Sequence, residues 1–296
     1  MAMNLGHLAI FHAIAEEGSV SRGADRLTVS QPAVSKQLRL LERALGTTLM
    51  ERGPRGITLT ESGDLLAGYA RQIFALEDEA LRAIRQLRGL ERGRLAIGAS
   101  TTIGVYLLPE LFVRFRRQYP AIDTTLEVSN ARLIQQRLGE GAIDVGFMEL
   151  QPEGDGWEST TFMSDDLVAI APPGHPLLSR SRVTSEAFCG EPFVVRATGS
   201  DTKSFVEEAL AERGLEVKPI MSLGSTEAIK RAVAAGIGVA IVSHLAIEME
   251  LKAKALAIVP VKGLSIRRPL LRVRRKNAPE MPALTAFLKL LKRDAS

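Results

Sequence analysis

Apolar positions recur along this chain with a period that changes twice, and each change marks a new kind of element. In residues 4–17 the residues Leu5, Leu8, Phe11, Ile14 and Ala15 fall on one side of a helix. Ser19 has the chemistry of an N-cap for a second, short helix whose Val20, Ala24 and Leu27 share a face. Residues 28–30 supply turn chemistry. Ser30 then caps a third helix, with Pro32 in its first turn, where an amide would lack an intrahelical partner anyway. Val34, Leu38, Leu41 and Leu45 form the stripe predicted to be buried. Residues 48–52 and 56–59 predict a short hairpin with Gly53, Pro54, Arg55 and Gly56 at its tip.

From residue 60 to about 90 the gaps alternate between three and four: Leu66, Tyr69, Ile73, Leu76, Ala80, Ala83, Leu87 and Leu90. Such a heptad seam predicts a two-helix coil and hence a dimer, with Ala80 and Ala83 small enough to let two backbones approach. Residues 89–94, with their glycines and arginines, mark a hinge into a different architecture. Beyond it, segments 95–99, 124–128, 145–148 and 167–171 read as strands, and 103–119 and 131–139 as helices. A strand at 193–195, a helix at 202–213, a strand at 218–221, a helix at 226–235 and a strand at 239–242 continue the alternation. The pattern predicts an α/β fold with largely parallel strands. Pro172, Pro173, Gly174, His175 and Pro176 read as a rigid turn between two subdomains.

The third helix leaves Gln31, Ala33, Ser35, Lys36 and Arg39 on or near its polar side. A small, hydrogen-bonding first turn followed by basic residues suits the major groove of duplex DNA, so the second and third helices read as a helix-turn-helix. Gln31 can reach a base edge, and Pro32 and Ala33 can touch a thymine methyl. Ser35, Lys36 and Arg39 suit phosphate or guanine, and Ser30 opens the same surface. The hairpin is then a wing whose Arg52 and Arg55 lie near phosphate.

Composition narrows the remaining classes. A chain of 296 residues has room for two or three domains, and 46% hydrophobic content is ordinary for a globular protein. A formal charge of +4 permits nucleic-acid contact without establishing it. The single cysteine, Cys189, cannot form an intramolecular disulfide, fits a reducing cytoplasm and reads as a small residue in a partly packed loop. Asn4, His7 and His12 interrupt the early apolar residues, so no secretory signal is expected, and no apolar run suits a bilayer. A cytoplasmic protein is expected.

Catalytic chemistry finds little support. The histidines His7, His12, His175 and His244 are scattered, and no HExxH, CxxC, GxSxG or P-loop spacing occurs. Asp165 and Asp166 are adjacent on a strand and point to opposite faces, so they read as guards of a strand start rather than as a carboxylate pair. Gly236-Ile237-Gly238 follows a helix and reads as close packing at a strand entry. No catalytic residue, cofactor or metal ligand is expected.

Two loops carry binding chemistry. Residues 98–102, Gly-Ala-Ser-Thr-Thr, follow one strand and lead into a helix; residues 198–203, Thr-Gly-Ser-Asp-Thr-Lys, do the same elsewhere. Each offers free backbone N–H groups, hydroxyl donors and a helix start, the ingredients of an anion site at the carboxyl ends of strands. Ser100, Thr102, Ser200 and Thr202 are the principal candidates, with Thr101, Lys203 and the strand-end Phe147 beside them. Asn130 either faces the same cleft or simply caps a helix, and Gly224, Ser225, Thr226 and Glu227 begin another helix lining the second half.

The run SxxxGADxLxxSQPAVSxQLxxLExxLGxxLMER from Ser19, with LTESG at 59–63, resembles the LysR-type transcriptional regulators. Gly23 and Met50 depart from that pattern, which usually has alanine and phenylalanine there. The resemblance implies a winged helix-turn-helix at 1–59, a dimerisation helix at 60–90 and a two-lobed, periplasmic-binding-protein-like effector domain at 91–296. Its lobes would be about 91–163 with 264–296, and 164–263. It further implies binding to an interrupted inverted repeat in duplex DNA, contact with RNA polymerase, a homodimer or homotetramer, and control of transcription by a small effector through a population shift. The STTIGxYLLP run is similar to members governing sulfur or carbon assimilation, which favours an inorganic or phosphorylated anion over an aromatic acid. The alternatives are a ligand-independent architectural DNA binder and an enzyme built on the same fold.

Overall fold

The computed structural model describes residues 3–53, 56–86, 93–279 and 281–294. The chain divides into two units, residues 1–84 with 139–142 and residues 85–138 with 143–296.

In the first unit, α1 (Leu5–Glu17) starts where Asn4 Oδ1 accepts from the amides of Gly6 and His7, and stops at Gly18, whose φ of +60° suits glycine. Ser19 caps α2 (Val20–Leu27) through the Arg22 amide. Ser30 occupies the N-cap position of α3 (Gln31–Leu45), but its side chain makes no capping hydrogen bond. Val34, Leu38 and Leu41 join Leu8, Phe11 and Ile14 in one core. Leu45, in the last turn of the helix, does not; it is 42% exposed. Gly23 lies where α2 crosses α1, and a Cβ there would sit 3.1 Å from the Ile14 backbone, so this departure matches a close crossing. Met50 is buried in the same core.

Strands β1 (Met50–Gly53) and β2 (Gly56–Leu59) pair antiparallel as the wing, with Met50 opposite Leu59. Thr60 Oγ1 accepts from the Gly63 amide and opens α4 (Glu61–Gln86). Gly63 is required: a Cβ there would lie 2.0 Å from the Leu49 carbonyl oxygen. The predicted seam is split. Leu66 and Ile73 pack into the core of their own unit, whereas Tyr69, Leu76 and Ala80 stay exposed together with Leu65. The open apolar stripe is therefore rotated towards Leu65, because the helix spends half of the seam on local packing. Arg55, Leu87 and Leu90 lie outside the described residues, as do the side chains of Arg52 and Ala83.

The second unit begins with β3 (Gly93–Ser100), a π-helical turn at Ile103–Leu107 and α5 (Leu108–Gln118). Then come β4 (Ile122–Ser129), α6 (Ala131–Gly139), β5 (Val145–Met148) and the long β6 (Trp157–Ala171). After it follow β7 (Val183–Thr184), α7 (Ser185–Cys189), β8 (Phe193–Arg196), α8 (Asp201–Ala211), β9 (Pro219–Leu223) and α9 (Thr226–Ala234). The chain closes with β10 (Ala240–Ser243), α10 (Glu248–Lys252), β11 (Ala257–Ile258), β12 (Val261–Lys262), β13 (Ile266–Arg275) and α11 (Pro282–Asp294).

The main sheet has the order β10-β6-β13-β5-β3-β4, with β11 also on β6. Pairs β3–β4, β3–β5, β7–β12 and β8–β9 are parallel, but β13 runs antiparallel to β5 and β6, and β10 to β6. The sheet is thus mixed, not largely parallel, because the chain leaves one half on β6 and returns on β13. Phe162, Met163 and Leu270 belong to a core around Leu95, Phe115 and Phe287; Leu167 and Ile266 belong to another around Phe188, Phe193 and Leu210. Two lobes therefore share two strands. The turn at 172–176 follows β6 inside the second lobe rather than between lobes, and His175 Nδ1 accepts from the Leu177 amide there. Cys189 ends α7 inside that lobe's core rather than in a loop. Gly238 does mark close packing, since a Cβ would lie 2.2 Å from the Pro192 carbonyl oxygen.

Candidate functional site

Burial of Val34, Leu38 and Leu41 forces the opposite side of α3 outward. Ser30, Gln31, Pro32, Ala33, Lys36 and Arg39 are exposed and Ser35 is half-buried. Arg39 Nε donates to the Ser35 carbonyl at 3.2 Å, which aligns its guanidinium along the helix. The surface is thus small at its start and cationic further on, as a groove-reading helix requires.

In the second unit, β3 ends at Ser100 and β8 ends at Arg196, and the loops that follow both face a cavity of about 230 Å³. The cavity brings together Ser100, Thr101, Thr102, Ser200 and Thr202. Ser129 at the end of β4, Asn130, Gly224 and Thr226 complete the polar wall. Asn130 also caps α6, accepting from the Leu133 amide at 2.9 Å.

Behind this wall lies Arg268, fully buried on β13. Its Nη2 donates to Thr102 Oγ1 at 3.1 Å in one lobe and its Nη1 to Thr202 Oγ1 at 3.0 Å in the other. Each threonine oxygen is occupied as an acceptor, so each O–H is left to donate elsewhere, and the cavity lies beside both. Arg268 is neutralised by Asp165, which accepts from Nε at 2.8 Å and from the Ser243 hydroxyl at 2.8 Å. A buried guanidinium needs such a partner.

Three further charged groups reach the cavity. Arg196 Nε donates to Ser200 Oγ at 3.2 Å, while its buried Nη1 has no partner among the described residues. Burial lowers its pKa, yet an arginine stays cationic. Asp201 accepts from the Ala131 amide across the lobes at 3.1 Å, and burial raises its pKa. Glu149, just beyond β5, is buried, with Oε1 3.5 Å from Arg268 Nη2. The Ser100 hydroxyl lies against it and favours its ionised form without a hydrogen bond of ordinary geometry. At the side, the Tyr106 hydroxyl donates to Glu227 at 2.8 Å, another link between the lobes.

Two expected cleft residues lie elsewhere. Phe147 is fully buried, edge-on to Phe162 at 5.4 Å and near Phe287, because all four β5 residues face packed layers. Lys203 pairs with Glu207 at 3.6 Å and faces the apolar groove between α8 and β8. Asp165 and Asp166 do point to opposite faces, but in the middle of β6 rather than at its start. Asp165 holds Arg268, whereas Asp166 pairs with Arg267 at the surface. Sequence reasoning missed Arg196, Arg268, Glu149 and the role of Asp165. A signal existed: Arg267-Arg268 stands exactly opposite Asp166-Asp165 in the antiparallel register, so two like-charged doublets were complementary. Among the described residues, no group of three or more His, Cys, Asp or Glu could hold a metal, and no helix is long and apolar enough to cross a membrane.

Comparison with known proteins agrees with both halves of this picture. Residues 5–64 match the bacterial regulatory helix-turn-helix protein model of the lysR family, and residues 88–296 match the LysR substrate binding domain. A probable RuBisCO transcriptional regulator of Synechocystis sp. is 38% identical over 96% of this chain and 84% of its own. The RuBisCO operon transcriptional regulator of Allochromatium vinosum is 34% identical over 100% of this chain and 98% of its own. Among solved structures, the Synechocystis CcmR regulatory domain in complex with 2-PG is 28% identical, covers 69% of this chain and 97% of that one, and superposes with a TM-score of 0.64. With an exposed reading helix at one end and a two-lobed polar cleft in the other unit, the chain belongs to the LysR family of transcriptional regulators.

Proposed function

We propose that this regulator senses a small oxyanion, phosphorylated or carboxylated, in the cleft of residues 91–296, and passes its presence to a DNA-reading surface in residues 1–59. The observation that carries the reading is the convergence of Thr102, Thr202 and Ser200 hydroxyls with the unpartnered Arg196 Nη1 on one cavity between lobes. Donors from both lobes gain their full partner only when an anion sits between them, so the ligand stabilises one lobe arrangement over others. The 2-PG in the CcmR complex makes that compound the first ligand to try, and the relatives' names make RuBisCO promoters the first DNA to try.

On the DNA side, Gln31, Pro32 and Ala33 would read bases while Ser30, Ser35, Lys36, Arg39, Arg52 and Arg55 would grip phosphate or guanine. Leu65, Tyr69, Leu76 and Ala80 are exposed apolar residues on one side of α4. That stripe suits a second copy, and residues 60–90 would then join a homodimer, or two dimers in a tetramer, on an interrupted inverted repeat. Contact with RNA polymerase and a cytoplasmic, non-catalytic role complete the reading.

The test is calorimetric titration of the full chain with 2-PG, inorganic phosphate and small carboxylates. Arg196→Ala is expected to lose at least tenfold in affinity for the ligand that binds, and Thr202→Val a smaller factor. A ligand bound equally well by both variants would place the site elsewhere.

A further inference from the structure

The charges around the cleft suit an anion only if one of the acids is neutral. Two cations, Arg268 and Arg196, face three carboxyl groups, Asp165, Glu149 and Asp201. With all three ionised, an entering anion would meet net negative charge in a poorly solvated space, where repulsion is strongly felt. Asp165 has two close guanidinium contacts and accepts from the Ser243 hydroxyl. Asp201 accepts a backbone N–H. Glu149 differs from both. It is 2% exposed, its Oε1 is 3.5 Å from an Arg268 nitrogen already given to Asp165 and Thr102, and its Oε2 has no donor among the described residues.

We propose that Glu149 carries its proton when the cleft holds an anion, and that the neutral carboxyl donates a hydrogen bond to it, so that anion and proton are bound together. This rests on the reading of the cleft as an anion site. A carboxylic acid kept neutral in an apolar setting is an effective donor to an oxyanion. The groups facing Glu149 support the assignment. Burial pushes its carboxyl up, and Asp201 on α8 adds to the rise; Arg268 on β13, Ser100 on β3 and the backbone amide of Glu149 itself oppose it. Asp165 on β6 takes up most of the Arg268 charge, and Arg196 on β8 faces the same cavity. A donor at this position also selects: oxyanions can accept from it, whereas an ammonium group cannot.

The full chain is titrated calorimetrically with 2-PG and with sulfate, which does not itself titrate, between pH 6 and 9.5. Affinity of the unaltered protein for sulfate is expected to fall with rising pH, approaching about tenfold per unit above the Glu149 pKa. Glu149→Gln, a neutral isostere, is expected to retain binding at high pH with the slope gone. Parallel pH profiles for the two proteins would overturn the proton's place on Glu149 while leaving the anion site standing. A slope lost in Asp201→Asn instead would move the proton to Asp201 and equally overturn it. Should Glu149→Gln fail to fold, repeating the unaltered titration in buffers of different ionisation heat counts protons directly, and zero uptake with a flat pH profile overturns the inference. Absence of binding by both anions at every pH would remove the anion reading, and this inference with it.

Discussion

The reading head and the effector unit handle polar chemistry in opposite ways. In the head, Gln31, Lys36 and Arg39 stand in solvent on a single helix, and the apolar core beneath them does not depend on their charge. In the effector unit, Arg268 and Asp165 meet in the interior across 103 residues of sequence, and the cleft wall hangs from them. An exposed side chain can be removed at the cost of binding alone. A buried ion pair cannot be halved without stranding a charge, so under the proposed function recognition and folding are joined in one unit and separate in the other.

The sharpest way to break this comparison is Arg268→Leu. It would leave Asp165 buried without its cation, and is expected to destabilise the effector unit by about 3–5 kcal/mol. Denaturant unfolding of the full chain measures it, and an unchanged midpoint would refute the structural role of the pair. Next in size is Gly63→Ala in the head, a steric rather than an electrostatic fault. A Cβ against the Leu49 carbonyl is expected to cost about 1–3 kcal/mol, read as a lower melting temperature of the head.

On the exposed surface, Gln31→Ala is expected to cost about 1–3 kcal/mol on the preferred operator and little on random duplex. Arg39→Ala should weaken both and lower the salt slope of binding by about one. Circular dichroism should be unchanged in both variants; equal loss of operator selectivity would merge their roles.

The smallest expected effect concerns pH, where the two units should move in opposite directions. His12 on α1 stacks on Phe74 at 5.2 Å, and burial lowers its pKa, aided by Arg26 and Arg71 against Glu16. Its contribution is complete above the unfolded value near 6.5 and is lost as pH falls towards the folded one, so the head weakens in acid. Glu149 is raised, so its contribution is complete below the ordinary carboxylate value and is lost as pH rises to the folded one. The effector unit should therefore weaken towards alkali. Thermal scans between pH 5 and 9 check this, with His12→Phe flattening the acid limb and Glu149→Gln the alkaline limb.

The head was legible because its information is local. Ser19 and Pro32 punctuate helices within a few residues, and the same 3.6-residue period that buries Val34, Leu38 and Leu41 exposes Gln31, Lys36 and Arg39. Leu45, Leu66 and Ile73 show the limit: periodicity names a face but not what covers it. In the effector unit the loops at 98–102 and 198–203 were recognisable from strand-loop-helix order, and the cavity does bring all six of their hydroxyl residues together.

Local pattern thus determined the helices, most strands, the turn chemistry and the two hydroxyl-bearing loops, since each depends on neighbours a few bonds away. Only the tertiary structure decided that Phe147 is core while Glu149 reaches the cleft, that Lys203 turns aside, and that Arg268 stands behind both threonines. Those outcomes follow from the antiparallel return of β13 beside β6. Strand pairing over such a span is set by the packing of the whole sheet, and it alone determines which buried charges become neighbours.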